Sequence, residues 1–228
     1  LSWEGAFGRS SDTEESRAYC GDLGIGYAGA EYFLPGTPDI STQLQALTDE
    51  GANIIYTTSL ASGPAQVAGT IAATEADVLM GGVNWALDTS VIALGGEATV
   101  GIIGNVPYLW WEELDRTPVQ IVSAYWAENR FAEDPEGAIL LRNIAYFASY
   151  GTFDLWAEVM IQTINRVGYE NLSGEAIYET IEGIEYEPFL GMIQIDFTDG
   201  KRSGSTTRIG QIQLVETDSG VSQVIVPL

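Results

Sequence analysis

The chain has 228 residues, is 46% hydrophobic and carries 26 glycines and 8 prolines, which provides interior enough for one large α/β domain or two lobes. Its formal charge is -23, with one lysine (Lys201), eight arginines and no histidine, so nucleic acid or an anionic leaflet is repelled and nucleic acid is excluded as a partner. The single cysteine, Cys20, cannot form an internal disulfide, and without histidine the usual nitrogen and sulfur metal sites and histidine charge-relay catalysis are absent.

In chain order, "SDTEESRAYCGDLG" predicts a helix capped by Ser11 or Asp12, with Glu14 and Glu15 at its positive end and Gly21 or Gly24 stopping it. "AEYFL" predicts a strand, and Asp39 the N-cap of a helix whose Ile40, Leu44 and Leu47 make one buried stripe ending at Gly51. "NIIYTTS" reads as a strand, "GPAQVAGTIAAT" as a helix starting near Pro64, and "DVLMGG" as a further strand. This alternation is what a parallel sheet demands, because parallel neighbours need a crossover and the helix supplies it. "GIGYAG", residues 24–29, fits the dinucleotide fingerprint, but a helix precedes it and a strand follows. No helix end then faces a phosphate, and the segment reads as a turn.

After the strand "TVGIIGNVPY" the pattern changes. "PVQIVSAYWAENRF" and "AILLRNIAYFASYGTFDLWAEVMIQTINRVG" are long amphipathic helical runs, the second with a break placed at Gly151. "SGEAIYETIEG" is a helix capped by Ser173. "MIQIDFTDGK" and "TRIGQIQLVETDSGVSQVIVPL" alternate as strands around the turns Asp199-Gly200 and Ser219-Gly220, so the tail is a hairpin. "VGIIGNVPYLWW" is too short for a membrane span and is interrupted by Asn105 and Pro107. The chain begins at Leu1 without a basic or apolar leader, and we expect a targeting signal, if one exists, to lie outside it.

The site signal is "VLMGGVNWALD", residues 78–88, in which an apolar strand stops at two glycines and then presents an amide and an indole. Ligands of open parallel sheets sit beyond the carboxyl ends of strands, which places "TTSLAS" beside "GGVNWALD". Glycine permits close backbone approach, while Asn84 and Trp85 offer directional hydrogen bonds and an apolar wall, the composition of a small-molecule pocket. The alternative is purely structural: Trp85 covers the sheet edge, and Thr57, Thr58 and Ser59 cap the helix at Pro64.

The runs "AEYFLPGTPDISTQLQALTDEGANIIYTTS", "GEATVGIIGNVPY", "ASYGTFDLWAEVMIQTINRVG" and "FLGMIQIDFTDGK", in that order, resemble the type I periplasmic solute-binding proteins of the branched-chain amino acid family. The resemblance covers almost the whole chain, with P-G-T-x-D-x-S-x-Q-L its most specific part. It implies an α/β fold: a Rossmann-like parallel-sheet lobe, a partial second lobe and a C-terminal hairpin. Residues 1–107 would be the family's second ligand-binding lobe, residues 108–200 the remainder of its first lobe, mainly helical, and residues 201–228 the strands returning to the second lobe. Most of the first lobe would precede this chain, which would leave apolar helix faces uncovered at Ile121 and Leu155.

Residue by residue, the resemblance places Phe7 at the family's cleft aromatic, Ser59 and Leu60 after the second strand, Asn84 and Trp85 where leucine-binding relatives supply a carboxylate, and Phe153 at the aromatic of a G-Y-D segment. No acid stands at the third position; Asp88 is nearest and suits a helix cap better. For Phe153, core packing on a helix is the competing reading. The implied function is the solute-binding component of an ABC-type importer. It would capture an amino-acid-like, amide or apolar carboxylate solute between two lobes by hinge closure, then dock on a membrane permease. The implied location is periplasmic or extracellular, with no cofactor or membrane span of its own. Two alternatives stand beside it. One is a ligand-sensing ectodomain of a receptor or regulator. The other is a Rossmann-like enzyme, against which the misplaced glycine motif, the missing histidine and the absent G-x-S-x-G elbow all count.

Overall fold

The computed structural model describes residues 1–201, 204, 206–217 and 220–228. The chain divides into two compact units, Leu1–Asn105 with Ile209–Leu228, and Val106–Arg208.

Unit 1 opens with β1 (Ser2–Trp3), the short turn α1 (Ala6–Arg9) and the helix α2 (Glu14–Asp22). The cap of α2 is Thr13, whose hydroxyl accepts from the Ser16 amide at 3.2 Å, rather than Ser11 or Asp12. Both of those are occupied elsewhere: Ser11 Oγ lies 2.6 Å from Thr58 Oγ1, and Asp12 accepts from two tyrosines. Strand β2 (Tyr32–Phe33) pairs in parallel with β1, and residues 24–29 form no regular element, in keeping with the turn reading.

Helix α3 (Ser41–Asp49) buries the expected stripe of Ile40, Leu44 and Leu47. Asp39 accepts from the Ser41 amide at 2.9 Å, and Gly51, at φ 86°, follows the helix end in a left-handed conformation. Strand β3 (Ile54–Thr57), helix α4 (Ser62–Ala73), strand β4 (Leu79–Gly82), helix α5 (Thr89–Gly95) and strand β5 (Ile103–Val106) complete the alternating run. Helix α4 starts two residues before Pro64 and has no side-chain cap. Thr57, Thr58 and Ser59 therefore do not cap it, contrary to the structural alternative.

Unit 2 begins with α6 (Thr117–Trp126), which has Pro118 in its first turn and continues into a wider turn over Ala127–Phe131. Helices α7 (Pro135–Leu140) and α8 (Ile144–Val167) follow. The long run breaks at residues 141–143, where Asn143 caps α8 by accepting from the Tyr146 amide at 2.9 Å, and not at Gly151. Gly151 is buried mid-helix because Ile193 packs there: a Cβ would sit 3.3 Å from Ile193 Cγ2. Helix α9 (Gly174–Glu182) is capped by Ser173 as expected, accepting from the Ala176 amide at 3.2 Å.

Strands β6 (Glu185–Tyr186) and β7 (Ile195–Asp196) pair antiparallel. Between them, Phe189 and Leu190 take left-handed conformations at φ 46° and 59°. Val159, Ile184 and Ile195 form one core, against which Leu155, Ile177 and Ile181 pack; Leu155 is therefore packed rather than uncovered, while Ile121 is 44% exposed. A second core is aromatic, with the Trp111 ring 5.0 Å from Phe147, 5.8 Å from Tyr146 and 6.1 Å from Trp126. Asp199 and Gly200, at φ 55° and 77°, make the expected turn.

The chain returns to unit 1 as the antiparallel hairpin β8 (Arg208–Thr217) and β9 (Gly220–Pro227), in register from Gly210 with Pro227 to Thr217 with Gly220. The expected turn at Ser219-Gly220 falls partly outside the described residues. The five-stranded sheet runs β3-β4-β5-β8-β9, parallel from β3 to β5. Burial alternates along β3 and β4: Ile55, Thr57, Met80 and Gly82 are buried beneath α4 and its neighbours, while Ile54, Tyr56 and Leu79 are exposed. Among the described residues, no helix is long and apolar enough to cross a membrane, and no cluster of acidic or cysteine side chains has metal-ligating geometry.

Candidate site at the strand ends of unit 1

Strands β3 and β4 are in register through Thr57 and Gly82, so the segments that leave them emerge side by side. The two glycines of "MGGVNW" differ in what they do. A Cβ on Gly82 would lie 2.7 Å from Ala86 Cβ and 2.9 Å from Thr57 O, whereas one on Gly81 would meet only ordinary contacts at 3.6 and 3.7 Å. Gly82 is thus the position that lets the 3-10 turn Asn84–Leu87 fold back onto the strand end. Gly104 on β5 gives the same room to Leu87, whose Cγ would be 2.9 Å from a Cβ there. The Val83 amide donates to Thr57 O at 3.2 Å, carrying the ladder one residue past the strand. The turn buries Ala86 and Leu87 and leaves Asn84 and Trp85 half-buried, neither sealed inside nor standing free. Asp88 is 2% exposed and caps α5, accepting from the Ser90 amide at 2.9 Å.

Beyond β3, Ser59 is fully buried and its Oγ lies 2.7 Å from Thr57 Oγ1, so its hydroxyl shapes the loop from within. Leu60, next to it, is 42% exposed. A Cβ on Gly63 would sit 2.3 Å from Ser59 Oγ and 2.9 Å from Trp3 Nε1, so glycine in the first turn of α4 lets Ser59 and the Trp3 indole converge there. Trp3 Nε1 is buried without a hydrogen-bond partner.

Sequence reasoning missed Trp3. The signal was present in the next turn, "AFG": a Cβ on Gly8 would lie 1.7 Å from Trp3 O, so that glycine folds α1 back over the tryptophan. Phe7, carried on α1, is 46% exposed. The Thr58 amide donates to Ser2 Oγ at 2.8 Å, which fixes β1 beside β3. Phe7, Ser59, Leu60, Asn84 and Trp85 therefore all come from the carboxyl-end edge of one set of neighbouring strands. Phe153 belongs to unit 2, on α8, where it is 75% exposed and takes no part in a core.

An ionic and aromatic network adjoins this edge through the Ser11 to Thr58 contact. Asp12 accepts from Tyr32 Oη at 2.7 Å, Tyr27 Oη at 2.8 Å and Arg17 Nε at 2.8 Å. Arg9 lies 3.9 Å over the Tyr32 ring while pairing with Glu4 at 2.9 Å. Burial opposes the ionisation of Asp12, but the hydrogen bonds from Tyr32, Tyr27 and Arg17 outweigh it and hold the carboxyl below its ordinary range. Tyr32 is pushed up to about 12, by burial first and then by its hydrogen bond to the Asp12 carboxylate. A depression of about 280 Å³ lies at the opposite end of β4, lined by Ser41, Leu44, Thr48, Thr74 and Val78. None of the candidate residues lines it.

The alternation of parallel strands and crossover helices, with loops gathered at the strand ends and a C-terminal hairpin completing the sheet, defines the fold of the type I periplasmic binding proteins. Residues 3–220 match the periplasmic binding protein family, and the chain belongs to it. Its structure is similar to a type 1 periplasmic binding protein from Bordetella pertussis Tohama I, with a TM-score of 0.71 at 16% identity, covering 100% of this chain and 60% of that one. It is also similar to a branched-chain amino acid ABC transporter protein from Thermus thermophilus with bound valine, with a TM-score of 0.68 at 18% identity, covering 99% and 58%. A leucine-binding protein from Thermotoga maritima gives 0.61 at 18% identity, covering 92% and 55%. The chain thus spans less than two thirds of the length of these structures. No curated protein matches it.

Proposed function

We propose that this chain is part of the solute-binding component of an ABC-type importer, with unit 1 as the family's second ligand-binding lobe and unit 2 as the remainder of the first. In this reading the solute is captured against the strand-end edge of unit 1 by closure of the two lobes, and the closed form docks on a membrane permease. Periplasmic binding proteins are a general instance of such hinge closure. Only a higher affinity of the solute for the closed state drives it. The chain performs no covalent chemistry and acts on the periplasmic or extracellular side. Phe7, Leu60, Asn84 and Trp85 would touch the solute, Ser59 would hold the loop from inside, and Phe153 would contribute a ring from the other lobe.

The observation that carries this reading is the loop after Gly82, which offers an amide and an indole at a strand end while its one carboxylate, Asp88, is turned inward to cap α5. A captured ammonium would find no acid there, and an unpaired buried ammonium costs several kcal/mol. The solute is therefore an amide or an apolar-bodied carboxylate rather than a free α-amino acid. Calorimetry on the full-length protein with isovaleramide, phenylacetate and leucine tests this. The amide or the acid binds more tightly than leucine; leucine binding most tightly would overturn the assignment.

A further inference from the structure

The chain passes between its two units twice, at Asn105–Val106 and at Arg208–Ile209. On the unit 1 side the two passing segments are already neighbours. Strands β5 and β8 are adjacent in the sheet, the Gly101 amide donates to Ile212 O at 2.8 Å, and the Ile212 amide donates to Ile102 O at 3.0 Å. Within unit 2 they are joined again, this time by side chains. Arg208 Nη1 donates to Glu113 Oε1 at 2.6 Å, Nη2 donates to Glu113 Oε2 at 2.9 Å, and Nη2 also donates to the Tyr108 carbonyl. Glu113 Oε2 in turn accepts from the Trp110 amide at 2.6 Å. The residues joined are 95 positions apart in sequence, and the Glu113 side chain is only 18% exposed.

The Arg9–Glu4 and Arg166–Glu179 pairs stand on open surface, where such contacts contribute little, and the Arg17–Asp12 pair, though its carboxylate is as enclosed, joins residues only five positions apart. The Arg208 pair is a two-pronged contact in a partly enclosed place, and only the planar guanidinium matches a carboxylate and a carbonyl together. Two separate linkers would each turn freely about two soft dihedrals per residue. Bound to each other at both ends, they lose that independence.

We infer that Arg208 and Glu113 form a clasp that makes the two passages move as one hinge element, and that they are positioning residues for the capture proposed above. The inference rests on that reading for its purpose, since a binding protein that closes on its solute needs a hinge of defined path. The clasp itself is a property of the free protein and can be tested without any solute.

The test is hydrogen exchange on the full-length protein and on its Arg208→Lys and Glu113→Gln variants. A second readout is spin-label distances between Cys20 in unit 1 and an Ala157→Cys label in unit 2. If the clasp couples the passages, exchange accelerates roughly tenfold at the Trp110 amide and also at the Gly101 and Ile212 amides across the passage. The distance distribution broadens, and the double variant is no worse than the worse single one, as expected for partners in a single interaction. Acceleration confined to residues 108–113, with Gly101, Ile212 and the distance distribution unchanged, would overturn it. Arg208→Lys keeps the charge and Glu113→Gln the shape, so the two variants break the same pair from opposite sides and either one decides the matter. A clasp that behaves as stated in a protein that binds no solute refutes the transport reading alone; solute binding with unchanged exchange in both variants refutes the clasp alone.

Discussion

The Phe189 amide donates a 2.7 Å hydrogen bond to Asp154 Oδ2, the same oxygen that accepts from Tyr186 Oη at 2.9 Å. Phe189 and Leu190 are consecutive non-glycine residues in left-handed conformations, which cost roughly 1–2 kcal/mol each. The carboxylate of α8 holds them there, and the turn sets the Phe189 ring 5.2 Å from Tyr150.

Replacing the anchor and relieving the strain should therefore act in opposite directions. Asp154→Ala is expected to destabilise the protein by about 2 kcal/mol, the usual contribution of hydrogen bonds to a charged acceptor. Leu190→Gly, at an exposed side chain, is expected to stabilise it by up to about 1 kcal/mol. Urea unfolding midpoints of the two variants check both signs, and a shift in the same direction for both would contradict the account.

The two glycines that end β4 make a sharper pair. Gly82→Ala forces a methyl against Ala86 Cβ and the Thr57 carbonyl and should cost about 1–3 kcal/mol, whereas Gly81→Ala should be close to neutral. Thermal unfolding of both variants separates the two. The sequence showed a pair of glycines at a strand end and the reason that one is needed there, but which of the two packs closely depended on where Ala86 came to rest. That is a contact made by the turn and not a property of either residue type.

The Asp12 network gives an alkaline signature. The neutral Tyr32 phenol is the favoured form in the fold, so its contribution to stability is complete below the ordinary tyrosine pKa of ~10. It fades as pH rises through about 12. Phenolate absorbance in the folded protein should show late-titrating tyrosines, Tyr27, Tyr56, Tyr150 and Tyr186 among them, and the late amplitude should fall by one phenol in Tyr32→Phe. Asp12→Asn should bring the Tyr32 phenol down toward the ordinary range, since it removes the carboxylate to which the phenol donates.

At the candidate site, Asn84→Asp supplies the carboxylate that the loop lacks. It should raise affinity for leucine roughly tenfold or more while weakening binding of phenylacetate by like-charge repulsion. Trp85→Ala should weaken the apolar acid by about 2 kcal/mol, the effect of removing an aromatic wall. Titration calorimetry of the full-length variants against both compounds reads each effect. Unchanged binding in both would remove this loop from the site.

Much of the architecture was legible because it is written in periodic apolar positions. Ile40, Leu44 and Leu47 face one way at helical spacing, and "NIIYTTS" and "DVLMGG" became β3 and β4 at the strand positions expected of them. The errors occurred where one residue type serves two purposes. Gly151 looked like a break but accommodates Ile193, and the true interruption is set by Asn143, whose side chain caps a helix already under way in the pattern. Ser11 and Asp12 looked like caps, yet tertiary partners took them and left the cap to Thr13. Ser59 and Trp3 were the least legible: the indole turns inward against Gly63, far along the chain, and the Ser59 hydroxyl turns inward against its near neighbour Thr57, and periodicity carries no information about either.

The hydroxyl pair of Thr57 and Ser59, sealed inside the loop after β3, bears on how any guest is received there. A segment already frozen by its own internal bonds has little freedom left to surrender on contact, so the entropic penalty of association should arise from the guest and from lobe movement, scarcely from this stretch of backbone. Cutting that bond with Ser59→Ala should leave the contact surface in place and yet slow the arrival of a guest, because the loop would then have to find its shape anew at every encounter.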